Sequence, residues 1–183
     1  NDSSGRATHY VALIEDITER RRMEVSLHES EERFRMIADS TADLIWLGDL
    51  ETGRFLYVSP ASRAQRGFEP AEMVGRPMTD FQPPETRERL TSAVTRRLAA
   101  LAAGDESARH EVIEVSFLRK DGTSMRAEVS STIMSDGQGR LTRLLGITRD
   151  ITARVQTEAN LRKMSRAIEQ APLSIVITDL AGQ

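Results

Sequence analysis

One short string occurs twice in this chain and limits what it can be. Asp16-Ile17-Thr18-Glu19-Arg20 is answered by Asp150-Ile151-Thr152-Ala153-Arg154. Each copy follows an apolar run, residues 10–14 and then 141–147, and each precedes a charged segment free of Gly and Pro. An apolar run stopped by Asp-Ile-Thr and continued by a helix reads as the end of a module, and here that end stands twice. The residues between the two copies then make one complete unit. Those outside read as the tail of one neighbour and the start of another.

The bulk numbers suit one such unit with linkers. The chain has 183 residues, 39% of them hydrophobic, and a net charge of −3, so no global basic field points to nucleic acid. It has no cysteine, which excludes disulfides, thiolate metal sites, a cysteine nucleophile and a cysteinyl cofactor adduct within these residues. No apolar run approaches the ~20 residues of a membrane span. The segment is expected in the cytoplasm, with membrane attachment of a longer parent left open.

In order, residues 9–14 read as a strand and 19–38 as a helix rich in Glu, Arg, Leu and Met. Its apolar positions Met23, Leu27, Phe34 and Ile37, with Ser30 between, are spaced as a coiled-coil seam. Residues 43–48 and 54–59 form the arms of a hairpin around Gly53, and Pro60 ends the second. Residues 61–66 suit a short helix. Gly67, Pro70, Gly75, Pro77, Pro83 and Pro84 then leave room only for short turns. A second long helix is predicted over 85–103, with Leu90, Val94, Leu98 and Leu101 on one face.

Three strands follow, over 111–119, 124–134 and 141–147. The middle one alternates Met125, Ala127, Val129, Ser131 and Ile133 against polar neighbours, so one face packs and the other is wet. In the strand before it, Ile113, Val115 and Phe117 share a face. Thr18 and Thr152 are read as N-caps, each hydroxyl accepting an orphan N–H of the helix it precedes. The second of these helices is expected over 153–170, with a weaker seam at Leu161, Met164, Ile168 and Ala171. Residues 174–180 read as one more strand. They repeat the pattern of residues 44–50, so the chain reads as a window on a tandem array. The expected divisions are 1–18, 19–38, 39–152, 153–170 and 171–183.

Four stretches in order resemble the PAS domain (PAS/PAC sensory box). They are Phe55-Leu56-Tyr57-Val58-Ser59-Pro60-Ala61; Gly67-Phe68-Glu69-Pro70-Ala71-Glu72-Met73-Val74-Gly75-Arg76-Pro77; Arg119-Lys120-Asp121-Gly122; and Arg149-Asp150-Ile151-Thr152. The resemblance covers residues 31–152, and the flanks resemble the end and the beginning of further units. It implies an α+β fold: a five-stranded antiparallel sheet in order 2-1-5-4-3, with helices over one face around a small cavity. It also implies a place upstream of a histidine kinase, diguanylate cyclase or similar output in a bacterial signalling protein such as a two-component system. Two residues depart from the family's habit: Ser59 stands where many relatives carry Asn, and Arg126 where an aromatic is common.

The resemblance also frames the ligand question. Light-oxygen-voltage photochemistry needs a cysteine near residues 81–87, and none is present. Haem-binding relatives use a histidine on or near the long helix, and residues 85–103 contain none. His110 reads as an edge residue, His9 and His28 as outside the unit. Non-covalent flavin stays open, with Trp46 able to stack on the ring or simply to fill the core. No metal-ligand spacing, phosphate loop or catalytic triad order is found, so no enzyme activity is expected for this segment. The candidate lining of a cavity is Trp46, Phe55, Tyr57, Met73, Phe81, Leu98, Val115, Phe117, Val129 and Leu145. The candidate coupling residues are Asp16, Thr18, Asp150 and Thr152. The expected partners are a second copy of the chain, paired in parallel through the linker helices, adjacent sensory and output domains, and a small apolar ligand. The reading is a non-catalytic relay module, and its alternative is a flavin- or haem-binding sensor of redox state, gas or light.

Overall fold

A computed structural model describes residues 16–169. The strands expected over 9–14 and 174–180, and with them the proposed neighbouring units, lie outside the described residues. Contacts divide the chain into two compact units, Asn1–Ile37 and Ala38–Gln183. The first is represented by helix α1, Thr18–Ser40. Its seam is exposed: Met23, Leu27, Phe34 and Ile37 keep more than half of their surface.

The second unit is built on five strands: β1 (Leu44–Asp49), β2 (Phe55–Val58), β3 (His110–Leu118), β4 (Ser124–Ser135) and β5 (Leu141–Asp150). They form one antiparallel sheet in the order β2-β1-β5-β4-β3, as expected. The Gly- and Pro-rich stretch after β2 folds into short pieces, α2 (Ala61–Arg66), α3 (Pro70–Met73) and a 3-10 turn, Met78–Phe81. Helix α2 stops where Gly67 takes φ 76° and returns its N–H to Arg63, a conformation that costs other residues strain. Helix α4 (Pro84–Ala102) begins with Pro at its first position, where the missing N–H breaks no helical bond. Helix α5 runs Thr152–Glu169, and its apolar Leu161, Met164 and Ile168 are exposed.

Alternation along β4 fixes the inner face of the sheet. Met125, Ala127, Val129 and Ile133 are buried, and their cross-strand partners on β3 include Ile113, Val115 and Phe117. On β5 the inner residues are Leu144, Gly146 and Thr148, opposite Gly48, Trp46 and Leu44 of β1. Gly146 is dictated by Trp46, whose ring would lie 2.0 Å from any Cβ there. The indole Nε1 donates to Thr148 Oγ1 at 3.0 Å, which holds the ring across the sheet. Two buried clusters result, one around Leu44, Phe55, Val58, Met73 and Phe81, the other around Val115, Phe117, Met125, Ala127 and Val129. Trp46 packs against both.

Candidate functional site

Between the sheet's inner face and α4 lies a cavity of about 360 Å³. Its walls are apolar for the most part, and its size lies at the lower end of small-molecule sites. Of the residues expected to line it, Trp46, Phe55, Leu98, Phe117 and Val129 do so. Met73, Phe81 and Val115 are buried instead within the two packed clusters.

Two expected positions need correction. Leu145 lies opposite Leu47 and Thr132 on the outer face, and its neighbour Leu144 takes the inner place. Adjacent leucines leave the phase of alternation undecided, and the contact between Gly146 and Trp46 decides it. Tyr57 also faces outward, opposite Leu47. Simple alternation would put it on the same face as Phe55. The register between β1 and β2 shifts at Leu47/Gly48, so that Phe55 sits opposite Gly48 and Val58 opposite Trp46.

Two arginines line the cavity that sequence reasoning did not single out, Arg66 and Arg97. Each keeps 3% of its surface. Arg97 is held at all three nitrogens: Nε donates to Ala108 O at 2.9 Å, Nη1 to Ser131 Oγ at 2.8 Å, and Nη2 to Arg109 O and Ser131 O at 2.6 and 3.0 Å. It ties α4 to β4 and to the 3-10 turn Glu106–Arg109 that leads into β3. Arg66 stacks on Phe117 at 4.5 Å from the ring centroid and lies 5.7 Å from that of Phe68. Its Nη2 donates to Phe81 O, and to Leu118 O at 3.4 Å. Burial pushes its pKa down to about 10, so it stays cationic at neutral pH. The one legible signal was for Arg97: it falls on the α4 face that also carries Leu90, Ala93 and Val94, where a charge needs a buried partner.

A polar clamp stands where β5 hands over to α5. Asp150 ends β5, and its Oδ1 accepts the N–H of Thr152 at 2.8 Å. Its Oδ2 accepts from Arg119 Nη2 at 2.6 Å. Arg119 Nε in turn donates to Gln65 O on α2 at 2.8 Å. Partial burial raises the Asp150 pKa, but the hydrogen bonds from Thr152 and Arg119 outweigh it and hold the carboxyl below its usual range. Beside the clamp, Lys120 N–H donates to Arg66 O at 2.9 Å, and Lys120 Nζ reaches Glu72 at 2.6 Å. Glu72 also accepts the N–H of Glu69 at 2.9 Å, closing a capping box at α3. The motifs that are far apart in sequence therefore meet in one polar cluster.

The capping role expected of Thr152 is corrected by this geometry. Thr152 is the first residue of α5, and its hydroxyl accepts the N–H of Arg126, on β4, at 3.0 Å. Arg126 O accepts the N–H of Ile151 at 2.9 Å. The helix start is capped by Asp150, and Thr152 tethers it to β4. Arg154 adds an ion pair to Glu114 at 2.9 Å. The first copy of the string repeats the capping half: Asp16 Oδ1 accepts the N–H of Thr18 at 2.9 Å. Hydrogen bonds from Thr18 lower the Asp16 pKa. The two departures from family habit are absorbed locally. Ser59 Oγ accepts the N–H of Ile45 at 3.0 Å, and Arg126 Nη1 donates to Ser116 Oγ at 3.0 Å. His110 is exposed on the β3 edge, 3.2 Å from Thr132 Oγ1.

Comparison with known proteins gives concordant matches. The family described as PAS domain matches residues 42–153. The sensor histidine kinase TmoS of Ectopseudomonas mendocina is 26% identical over 158 residues, covering 86% of this chain and 16% of the kinase. The methanogenesis regulatory histidine kinase FilI of Methanothrix harundinacea (strain 6Ac) is 30% identical over 139 residues, 76% of this chain and 15% of that protein. The chain thus spans about a sixth of the length of these curated relatives. Among solved structures, the PAS domain of a protein from Colwellia psychrerythraea aligns with a TM-score of 0.57 at 24% identity, over 67% of this chain and 97% of that one.

Proposed function

We propose, from the premise that this chain belongs to the PAS domain family, that residues 39–152 are a sensory relay in which the state of the cavity sets the seating of α5. The observation that carries this reading is Arg119, which holds a carbonyl of α2 and the carboxylate of Asp150 at once. Helix α2 supplies Arg66 to the cavity wall. A shift of α2 on filling the cavity would therefore load the same guanidinium that fixes the cap of α5. A packed interface of this kind moves between discrete arrangements rather than by continuous bending. The module catalyses nothing itself, and its output lies elsewhere in a longer signalling protein of the histidine kinase or diguanylate cyclase kind.

The rest of the reading extends from this joint. The exposed seams of α1 and α5 fit linker helices that pair with those of a second copy in parallel. Residues 1–18 and 171–183 would then belong to neighbouring sensory units. Among the described residues no helix is long and apolar enough to cross a membrane, in keeping with a cytoplasmic module whose parent is free to sit at a membrane. An absorption spectrum of the purified chain, with mass spectrometry of whatever it retains, tests the choice of signal. The relay reading expects a colourless protein. Flavin or Soret bands would overturn it in favour of a cofactor sensor.

A further inference from the structure

We infer that the cavity takes a small carboxylic acid with an apolar body, its carboxylate seated on Arg66. This inference rests on the reading of the cavity as a ligand site.

Arg66 is buried, cationic and short of acceptors. Its Nε is enclosed and has no hydrogen-bond partner. Among the described residues no carboxylate lies within ion-pair distance of it. Its known contacts are two carbonyls and two aromatic rings. These soften the burial of a charge but do not neutralise it, and buried charges in proteins are ordinarily paired. Contrast with Arg97 sharpens the point. That guanidinium has four hydrogen bonds and a carboxylate, Glu111, at 3.9 Å. One cavity arginine is structural and complete, the other incomplete.

The remaining lining narrows the class. Among the described residues Asp49 is the only acid in the cavity wall, and its Oδ1 already accepts the N–H and hydroxyl of Thr52 at 2.7 and 2.8 Å. Against two arginines the wall is net positive. Leu44, Trp46, Leu90, Val94, Ile113 and Leu144 make the rest of it apolar. Both hydrogen-bonding edges of the guanidinium include Nη2, which the carbonyls of Phe81 and Leu118 occupy, so a carboxylate would meet Arg66 through a charge-assisted hydrogen bond at Nη1. A phosphate dianion would ask for more donors than Arg66 has left beside its two carbonyl partners. About 360 Å³ equals the liquid volume of roughly a dozen waters, which suits a small acid.

Titration calorimetry at pH 7 with three acid–amide pairs tests this: hexanoate, octanoate and 3-phenylpropanoate, each against its neutral primary amide. At least one acid is expected to bind about tenfold or more tightly than its amide. Arg66→Met should bring the Kd of that acid to the level of the amide and leave the amide within about twofold. Equal binding of acid and amide by the unaltered chain would overturn the inference while leaving the cavity a ligand site. Binding of neither in any pair would overturn both. The acid–amide comparison needs no variant, so it decides even if Arg66→Met fails to fold.

Discussion

Replacing Thr152 by Val removes one hydroxyl and keeps the branched shape at the first position of α5. Helix propensity changes little, because Thr and Val rank together. What changes is the Arg126 N–H, which loses its 3.0 Å acceptor at a half-buried point of β4. An amide left without a partner costs about 1–3 kcal/mol. Partial access to water favours the lower half of that range, so a loss of about 1–2 kcal/mol is expected. For a domain of this size that lowers Tm by roughly 5 °C. The assay that isolates the cause is residue-resolved hydrogen exchange. Arg126 should exchange about tenfold faster in Thr152→Val, tenfold being the equivalent of about 1.4 kcal/mol. Thr152→Ser should restore protection. Unchanged exchange at Arg126, with Ala153 or Arg154 losing protection instead, would refute the tether and return Thr152 to the capping role.

Further outcomes follow from the clamp and the sheet. The folded-state pKa of Asp150 is depressed, so its contribution is fully present above the unfolded carboxylate range and is lost as pH falls through the folded value. Denaturant midpoints between pH 7 and pH 3 should therefore lose part of their acid dependence in Asp150→Asn, with a loss of about 1–2 kcal/mol at pH 7. Gly146→Ala drives a methyl into the Trp46 ring, 2.0 Å away. It should cost about 3 kcal/mol or more, shift the fluorescence of the single tryptophan, and be partly rescued by Trp46→Phe.

Much of the architecture was legible because period-2 alternation is unambiguous where polar and apolar residues take turns, as along β4. The limits fall at named places. Leu144-Leu145 gives no phase, and only the Trp46–Gly146 contact across the sheet supplies one. The register shift at Leu47/Gly48 breaks alternation in β2, so Phe55 was placed correctly and Tyr57 was not. Arg66 and Arg97 are not legible because arginine is read as a surface residue unless its partners are visible, and theirs are mostly backbone carbonyls and ring faces, with the Ser131 hydroxyl, all brought in by other elements. The Asp-Ile-Thr string marked the joint, but its chemistry was divided differently between the two side chains: Asp150 caps, and Thr152 tethers.

The account stands most directly on whether the cavity and α5 are coupled through Arg119. The measurement is hydrogen exchange at residues 151–155 in the unaltered chain, in Val94→Phe, which fills the cavity from α4, and in Val94→Phe combined with Arg119→Ala. The account expects filling to change protection at Ile151 and Thr152 by about tenfold, and expects that change to vanish when Arg119 is removed. Identical exchange at these amides with the cavity empty and filled, in chains of equal global stability, would contradict it.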